Sequence, residues 1–427
     1  MRGVVVVPGL TARTRPVARW RGVRLALIAA WIAFPGAGRA AEPGPVRVGL
    51  VVPLTGPSAQ VGAHMRNGFL MPIEEAGAQA GGRRLDVIVE DDEGNPSQTL
   101  TKVRKLVESD RVQVVAGVLL ASAAYAVTPY LTQHKIPFFL FSAAGDLTQR
   151  KPSEYVVRLS WSTSQDSHPF GEYAARVLHH RRVATLAADY SFGWEVVGGF
   201  QRAFEENGGQ IVQKLWAPLN AQDFGPYLTQ LRRDVDAVFL LFFGAQAIRV
   251  MKQYQDFGLR GRIPVLGGGA LTEAVFPQMG DEAIGTLTTL HYSEVLPLAA
   301  NQRFAQRFRA RYGILPSYYA ADHYVMAQGL LEALKEVQGA AEDVPRFLAA
   351  ARHVRLADTP RGPVELDEAA NAINNVYIRK VERVGGELQN SVIYTYPQVG
   401  QFWKHGKAQY LAQPLYDRDY PPCRFCQ

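Results

Sequence analysis

Small hydroxyl-bearing residues stand at three points where an apolar run gives way to a helix start: Thr55-Gly56-Pro57-Ser58, Leu120-Ala121-Ser122 and Ser142-Ala143-Ala144. The first N–H groups of a helix have no partner inside it, and the helix dipole adds partial positive charge there. Loops of this kind therefore suit a carboxylate. Taken singly, Ser58 and Ser122 read equally well as helix caps; several such loops on one sheet edge favour a ligand site. In the second half of the chain Asp189-Tyr190-Ser191-Phe192-Gly193, Phe242-Phe243-Gly244-Ala245 and Gly267-Gly268-Gly269-Ala270 follow apolar runs in the same way. The rings of Tyr190, Phe192 and Phe243 could pack on an apolar ligand body or only plug the edge of the fold. Trp161 could floor a cleft, but core packing is the better reading.

Covalent chemistry has little support. The chain carries no G-x-S-x-G, H-E-x-x-H, G-x-x-x-x-G-K-S/T or G-x-G-x-x-G motif. Its nine histidines are scattered, and the adjacent pair His179-His180 falls at a helix end, where the two side chains point apart. No catalytic residue, cofactor or metal is expected. Cys423 and Cys426 form a C-x-x-C in the final residues, without the helix start of a redox motif or a second pair for zinc, so a local disulfide is expected.

Residues 1–40 contain seven Arg and no Asp or Glu, then the apolar run Leu25 to Phe34 and small residues up to Ala41. This is the pattern of a secretory signal cut after Ala40, and the apolar run is too short to span a bilayer. Without those seven arginines the chain keeps 39 basic residues against 39 acidic ones, so its formal charge falls from +7 to zero. A nucleic-acid surface should show as basic excess in the folded part, and none remains. Export of the mature chain is expected.

The elements that must position the loops alternate. Strands are read at 46–52, 84–90, 112–118 and 136–141, with helices at 61–79, 96–109 and 122–133 between them. The alternation restarts with a helix at 168–179, then strands at 182–187, 210–216, 237–243 and 263–266 separated by helices at 194–207, 224–233 and 247–257. Strands without polar alternation, separated by helices, imply parallel sheets covered on both faces. A third section has a strand at 287–292, helices at 301–312, 318–336 and 344–351, and a β-like ending from 364 to 396. The size and the restart favour two lobes with short crossings between them. Pro72, inside the first helix, should bend it without stopping it.

Several of these stretches resemble one family. Gly49 to Gly56, Asp91 to Pro96, Val115-Ala116-Gly117, Asp189 to Gly193, Asp223-Phe224, Arg311 to Pro316 and, more loosely, Ala320 to Tyr324 occur in the order found in solute-binding proteins of ABC importers, in the leucine/isoleucine/valine-binding branch. The resemblance covers nearly all of the chain from the signal to about Tyr396. It implies an α/β fold of two Rossmann-like lobes with parallel-type central sheets and a three-crossing hinge, the type I periplasmic binding fold. Lobe 1 is then 45–160 plus 293–360, lobe 2 is 161–292 plus 361–400, and 401–427 is an extension of unassigned role.

The resemblance further implies a monomer that holds a small carboxylate between its lobes and presents it to a membrane permease. Ala121, Ser122, Ser142, Ala143 and Ala144 would hold the carboxylate; Tyr190, Phe192, Phe243, Gly268 and Gly269 would face it from lobe 2. Two departures bear on the ligand. Where amino-acid binders offer an acidic residue to the ammonium this chain has Gly267-Gly268-Gly269-Ala270, and Val61 stands where an aromatic often packs. A buried ammonium without an anionic partner is costly. The reading is therefore an aromatic or branched aliphatic acid rather than a leucine-like amino acid, although a two-residue shift of alignment would bring in Glu273. The rival readings are a sensing module of an extracytoplasmic signalling system and an exported hydrolase with an unmotifed carboxylate pair.

Overall fold

The computed structural model describes residues 44–426. The expected signal segment and its cut after Ala40 lie outside the described residues.

The first part of the chain builds β1 (Val46–Val52), α1 (Ala59–Glu75), β2 (Gln79–Ala80), β3 (Arg83–Asp91), α2 (Pro96–Arg104), β4 (Val114–Gly117), α3 (Ala121–Gln133), β5 (Phe138–Leu140) and β6 (Val156–Val157). Its strands form a six-stranded sheet in the order β2-β3-β1-β4-β5-β6, parallel except for β2 against β3. β1 has six buried residues of seven, and β4 and β5 are buried throughout, as strands covered on both faces must be. α1 runs three residues past Pro72. The helix expected at 96–109 is α-helical only to Arg104; a single π-helical turn, Lys105–Ser109, finishes it.

The second part contributes α4 (Thr163–Arg176), β7 (Arg182–Ala188), α5 (Ser191–Glu206), β8 (Gln210–Ala217), α6 (Gly225–Gln230), β9 (Ala237–Leu241), α7 (Ala245–Asp256), β10 (Val265–Gly268) and β11 (Leu287–Leu290). α4 starts five residues earlier than the apolar pattern indicates. Pro169 sits where a first-turn proline would be expected, yet the polar turn Thr163 to Ser167 before it is already helical and buried, held among the crossings between lobes.

The chain then returns to the first sheet with α8 (Ala299–Tyr312), α9 (Tyr318–Glu336) and α10 (Val344–Arg352); α9 packs on α1 within one hydrophobic core. It ends in the second sheet with β12 (Glu365–Leu366), β13 (Ala372–Val384) and β14 (Glu387–Val399). That sheet runs β12-β13-β11-β10-β9-β7-β8, with β14 on β13; β7 to β11 are parallel and the late strands antiparallel. The result is a two-lobe α/β fold of mostly parallel sheets joined by three short crossings.

Beyond β14 the tail, including α11 (Lys407–Leu411), docks along α4 and α5. The Tyr410 hydroxyl meets Ser164 Oγ at 2.9 Å, Tyr416 meets His168 Nε2 at 3.0 Å, and Cys423 and Cys426 are joined as a disulfide.

Candidate functional site

The strand ends of both sheets face one another across the crossings, and the loops leaving them enclose two adjacent cavities of about 20 Å³ each. The first is lined by Leu119, Phe141 and Ala143 from lobe 1, by Tyr190, Phe192 and Phe243 from lobe 2, and by Trp161, Tyr318 and Tyr319. The second is lined by Thr163, Asp166, Ser167, Val196, Leu241, Gly268, Gly269, Ala270, Thr289 and Leu290. Trp161, Phe192 and Tyr318 border both. Such volumes hold about one water each. The lobes are thus closed, and any larger guest requires them to part.

The walls are rings at packing distance. Trp161 meets Tyr318 edge-on with centroids 5.1 Å apart, Phe141 meets Trp161 at 5.5 Å, and Tyr190 lies 6.1 Å from Phe192 and 6.2 Å from Phe243. Backbone strain aims the lobe 1 wall. Gly117 and Val118 leave β4 with φ of 97° and 66°. A positive φ at a β-branched residue costs of order 1–3 kcal/mol. That turn delivers Leu119 to the cavity and starts α3 at Ala121. The first i→i−4 bond of α3 is Ala124 N–H to the Leu120 carbonyl, at 2.9 Å. The N–H groups of Ala121, Ser122 and Ala123 are left outside the helix ladder.

The residues singled out from sequence divide into two groups. Ala143, Tyr190, Phe192 and Phe243 line the first cavity, and Phe192, Gly268 and Gly269 the second. Ala121, Ser122, Ser142 and Ala144 border neither: Ala121, Ser142 and Ala144 are buried behind the wall and Ser122 is half-buried. The carbonyls of Ser142 and Ala144 accept from Arg158, at 3.4 and 2.6 Å, and the Ala143 carbonyl accepts from Thr163 Oγ1 at 2.5 Å. Trp161 is a wall residue as well as a packed one. Tyr318, Tyr319, Phe141 and Asp166 escaped notice because each looks like ordinary core or helix start in sequence; only the return of α9 to the first sheet brings Tyr318 and Tyr319 to the crossings.

Three buried charge clusters flank the walls. Glu273 is not free for a ligand: its carboxylate pairs with Arg379 at 2.6 Å and accepts from the Tyr318 N–H at 3.0 Å and Asn390 Nδ2 at 3.2 Å. Glu195, on α5, reaches lobe 1, where it accepts from the Gly145 N–H at 2.8 Å and the Tyr125 hydroxyl at 3.1 Å. Burial pushes its pKa up to about 7. His291 sits between Asp166 and Asp322, at 2.9 and 3.0 Å, and Arg361 pairs with Asp322 at 2.9 Å, so one network ties α4, α9 and two crossings. A wider cavity of about 540 Å³ lies beside Glu273 between His64 and Ser317 on one side and Thr272 and Asn390 on the other. Its exposed charges are matched across it, as in the Arg309–Glu387 pair at 2.7 Å. No group of three or more metal-ligating side chains occurs among the described residues, and no helix among them is long and apolar enough to cross a membrane.

Comparison with known proteins agrees with this architecture. A family model described as periplasmic binding protein matches residues 45–387. The chain belongs to the periplasmic binding protein family. Within it, the chain is 31% identical over 379 residues to Leu/Ile/Val-binding protein homolog 6 of Brucella melitensis, covering 86% of this chain and 95% of that one. It is similar to a solute-binding protein of an ABC transporter from Rhodopseudomonas palustris in complex with 3,4-dihydroxybenzoic acid, at 34% identity and TM-score 0.79, covering 84% of this chain and 98% of that one. It is also similar to an R. palustris solute-binding protein in complex with benzoate, at 27% identity and TM-score 0.78, covering 84% and 99%. A leucine-binding protein from Thermotoga maritima, 20% identical with TM-score 0.72, shares the fold. This binding protein is therefore a type I periplasmic binding protein of the leucine/isoleucine/valine branch.

Proposed function

We propose that this binding protein, exported to the periplasm with its signal cut near Ala40, captures a small aromatic carboxylate between its lobes and delivers it to an ABC importer permease. The observation that carries the reading is the aromatic enclosure drawn from both lobes, beside a Gly268-Gly269 wall, with Asp166 of the same cavity paired to His291 and the nearby Glu273 committed to Arg379. Flat apolar walls suit a ring. The α3 N-terminus, just beyond Leu119 of the first cavity, would receive the carboxylate once the lobes part, and Glu273 is not spare for an ammonium. Two similar proteins hold benzoate and 3,4-dihydroxybenzoic acid, which supports the same class here. A ligand that touches both lobes shifts the open–closed population by its differential affinity, and the closed form is the one a permease would read.

The test is calorimetric titration of the purified protein with benzoate, 4-hydroxybenzoate, leucine and a branched keto acid, alongside thermal unfolding. A bound acid at 100 times its dissociation constant should add about 2.7 kcal/mol of stability. Binding of leucine with no response to either aromatic acid refutes the proposal.

A further inference from the structure

We infer that Asp166 is a specificity-determining residue that accepts a hydrogen bond from a neutral hydroxyl on the ligand, at the end opposite its carboxylate. The inference rests on the aromatic-carboxylate reading above and adds to it a chemical requirement.

Asp166 is buried, 4% exposed, in the first turn of α4, and it borders the second cavity beside Trp161 and Phe192. One oxygen, Oδ2, meets His291 Nδ1 at 2.9 Å; the other, Oδ1, is buried with no partner. A carboxylate oxygen desolvated without a donor is costly, and native structures rarely leave one so. The α4 dipole eases the charge but brings no N–H to Oδ1. The chain has little with which to fill the gap. A Cβ at Gly269 would come within 2.5 Å of the Thr289 carbonyl oxygen, so that part of the facing wall is limited to glycine, while one at Gly268 would have to displace Leu241 Cδ1, 2.3 Å away.

Charge accounting decides which donor fits. His291 lies between Asp166 and Asp322, with Nδ1 and Nε2 each facing carboxylate oxygens, at 2.9 and 3.0 Å; these only accept, so both nitrogens carry hydrogen, and the same two carboxylates raise its pKa. With His291 protonated and Arg361 on Asp322, the two acids are matched by two cations. A ligand ammonium would be a third cation without a counter-ion. The remaining lone pair suits an uncharged O–H instead. Ala143 and Leu119, the latter just ahead of α3, line the first cavity and Asp166 the second. A ring seated where the two cavities meet, against Trp161, Phe192 and Tyr318, would carry its carboxylate and hydroxyl at opposite ends.

The experiment titrates the full mature protein and its Asp166→Asn variant with benzoate, 4-hydroxybenzoate and 4-methoxybenzoate, which keeps the oxygen but has no O–H. The expected result is that the wild-type protein binds 4-hydroxybenzoate at least about tenfold more tightly than either other acid, a charge-assisted hydrogen bond being the difference. D166N should bring the three affinities within about threefold of one another by weakening 4-hydroxybenzoate alone. Equal wild-type affinities for benzoate and 4-hydroxybenzoate, or a preference that survives in D166N, overturn the inference while leaving the aromatic-acid reading intact. Binding of none of the three acids by the wild-type protein overturns both. The comparison of the hydroxy and methoxy acids needs no variant, so it decides the matter even where D166N fails to fold.

Discussion

Glu195 should make lobe closure pH-dependent. It belongs to lobe 2, is 2% exposed, and accepts hydrogen bonds from Gly145 and Tyr125 of lobe 1. In the closed form its pKa is about 7, raised from 4.5 chiefly by desolvation; opening returns the carboxylate to water. Because the raised value belongs to the closed state, that state takes up the proton. The resulting stabilisation is fully present below about pH 4.5 and is lost as the pH rises through about 7. At about 1.36 kcal/mol per pH unit, the two values differ by about 3 kcal/mol between acid and alkaline limits. Between about pH 5 and 8, apparent affinity for a closure-coupled ligand should fall on the order of tenfold to a hundredfold. Glu195→Gln keeps the shape and removes the titration, so its affinity should vary less with pH by that factor. The assay is calorimetric titration with 4-hydroxybenzoate across this range, with small-angle scattering of the free protein to follow opening. Identical pH slopes for the wild-type and E195Q proteins would refute the reasoning, because other titrating groups are common to both.

Three further outcomes are expected. Glu273→Ala leaves the Arg379 guanidinium buried without its acid and should lower unfolding free energy by about 3–5 kcal/mol in urea titrations; a change below about 1 kcal/mol would mean the pair is not buried as described. Phe192→Ala removes one of the three rings that border both cavities and should weaken aromatic-acid binding by about tenfold or more, whereas unaltered affinity in the folded variant would place the ligand elsewhere. Gly171→Ala sets a Cβ within 2.4 Å of the Phe200 carbonyl oxygen where α4 crosses α5, and it should destabilise by about 2 kcal/mol or more, read by the denaturation midpoint.

Local pattern marked most elements, since each sheet interior is made of runs such as Val46 to Val52 that have one comfortable conformation between two helix layers. It failed where local and tertiary preferences part. The buried polar turn Thr163 to Ser167 has no apolar periodicity, so its helix is invisible until the crossings enclose it. Phe192, Phe243 and the glycine wall could be named because loops at strand ends are where open α/β sheets bind ligands. Tyr318 and Tyr319 could not, because their place at the cavity depends on α9 returning across the crossings, 75 residues or more after the other rings.

Sequence alone determined the alternation, the two-lobe class, the carboxylate-type loops and the glycine stretch where an acid might have stood, because each is written in neighbouring residues. The tertiary structure alone decided which groups remain available. It gave Glu273 to Arg379, gave Ser142 and Ala144 to Arg158, and left Oδ1 of Asp166 without a donor. The physical reason is that a buried polar group is defined by its partners, and these partners lie on segments up to 106 residues apart, brought together only when the chain folds.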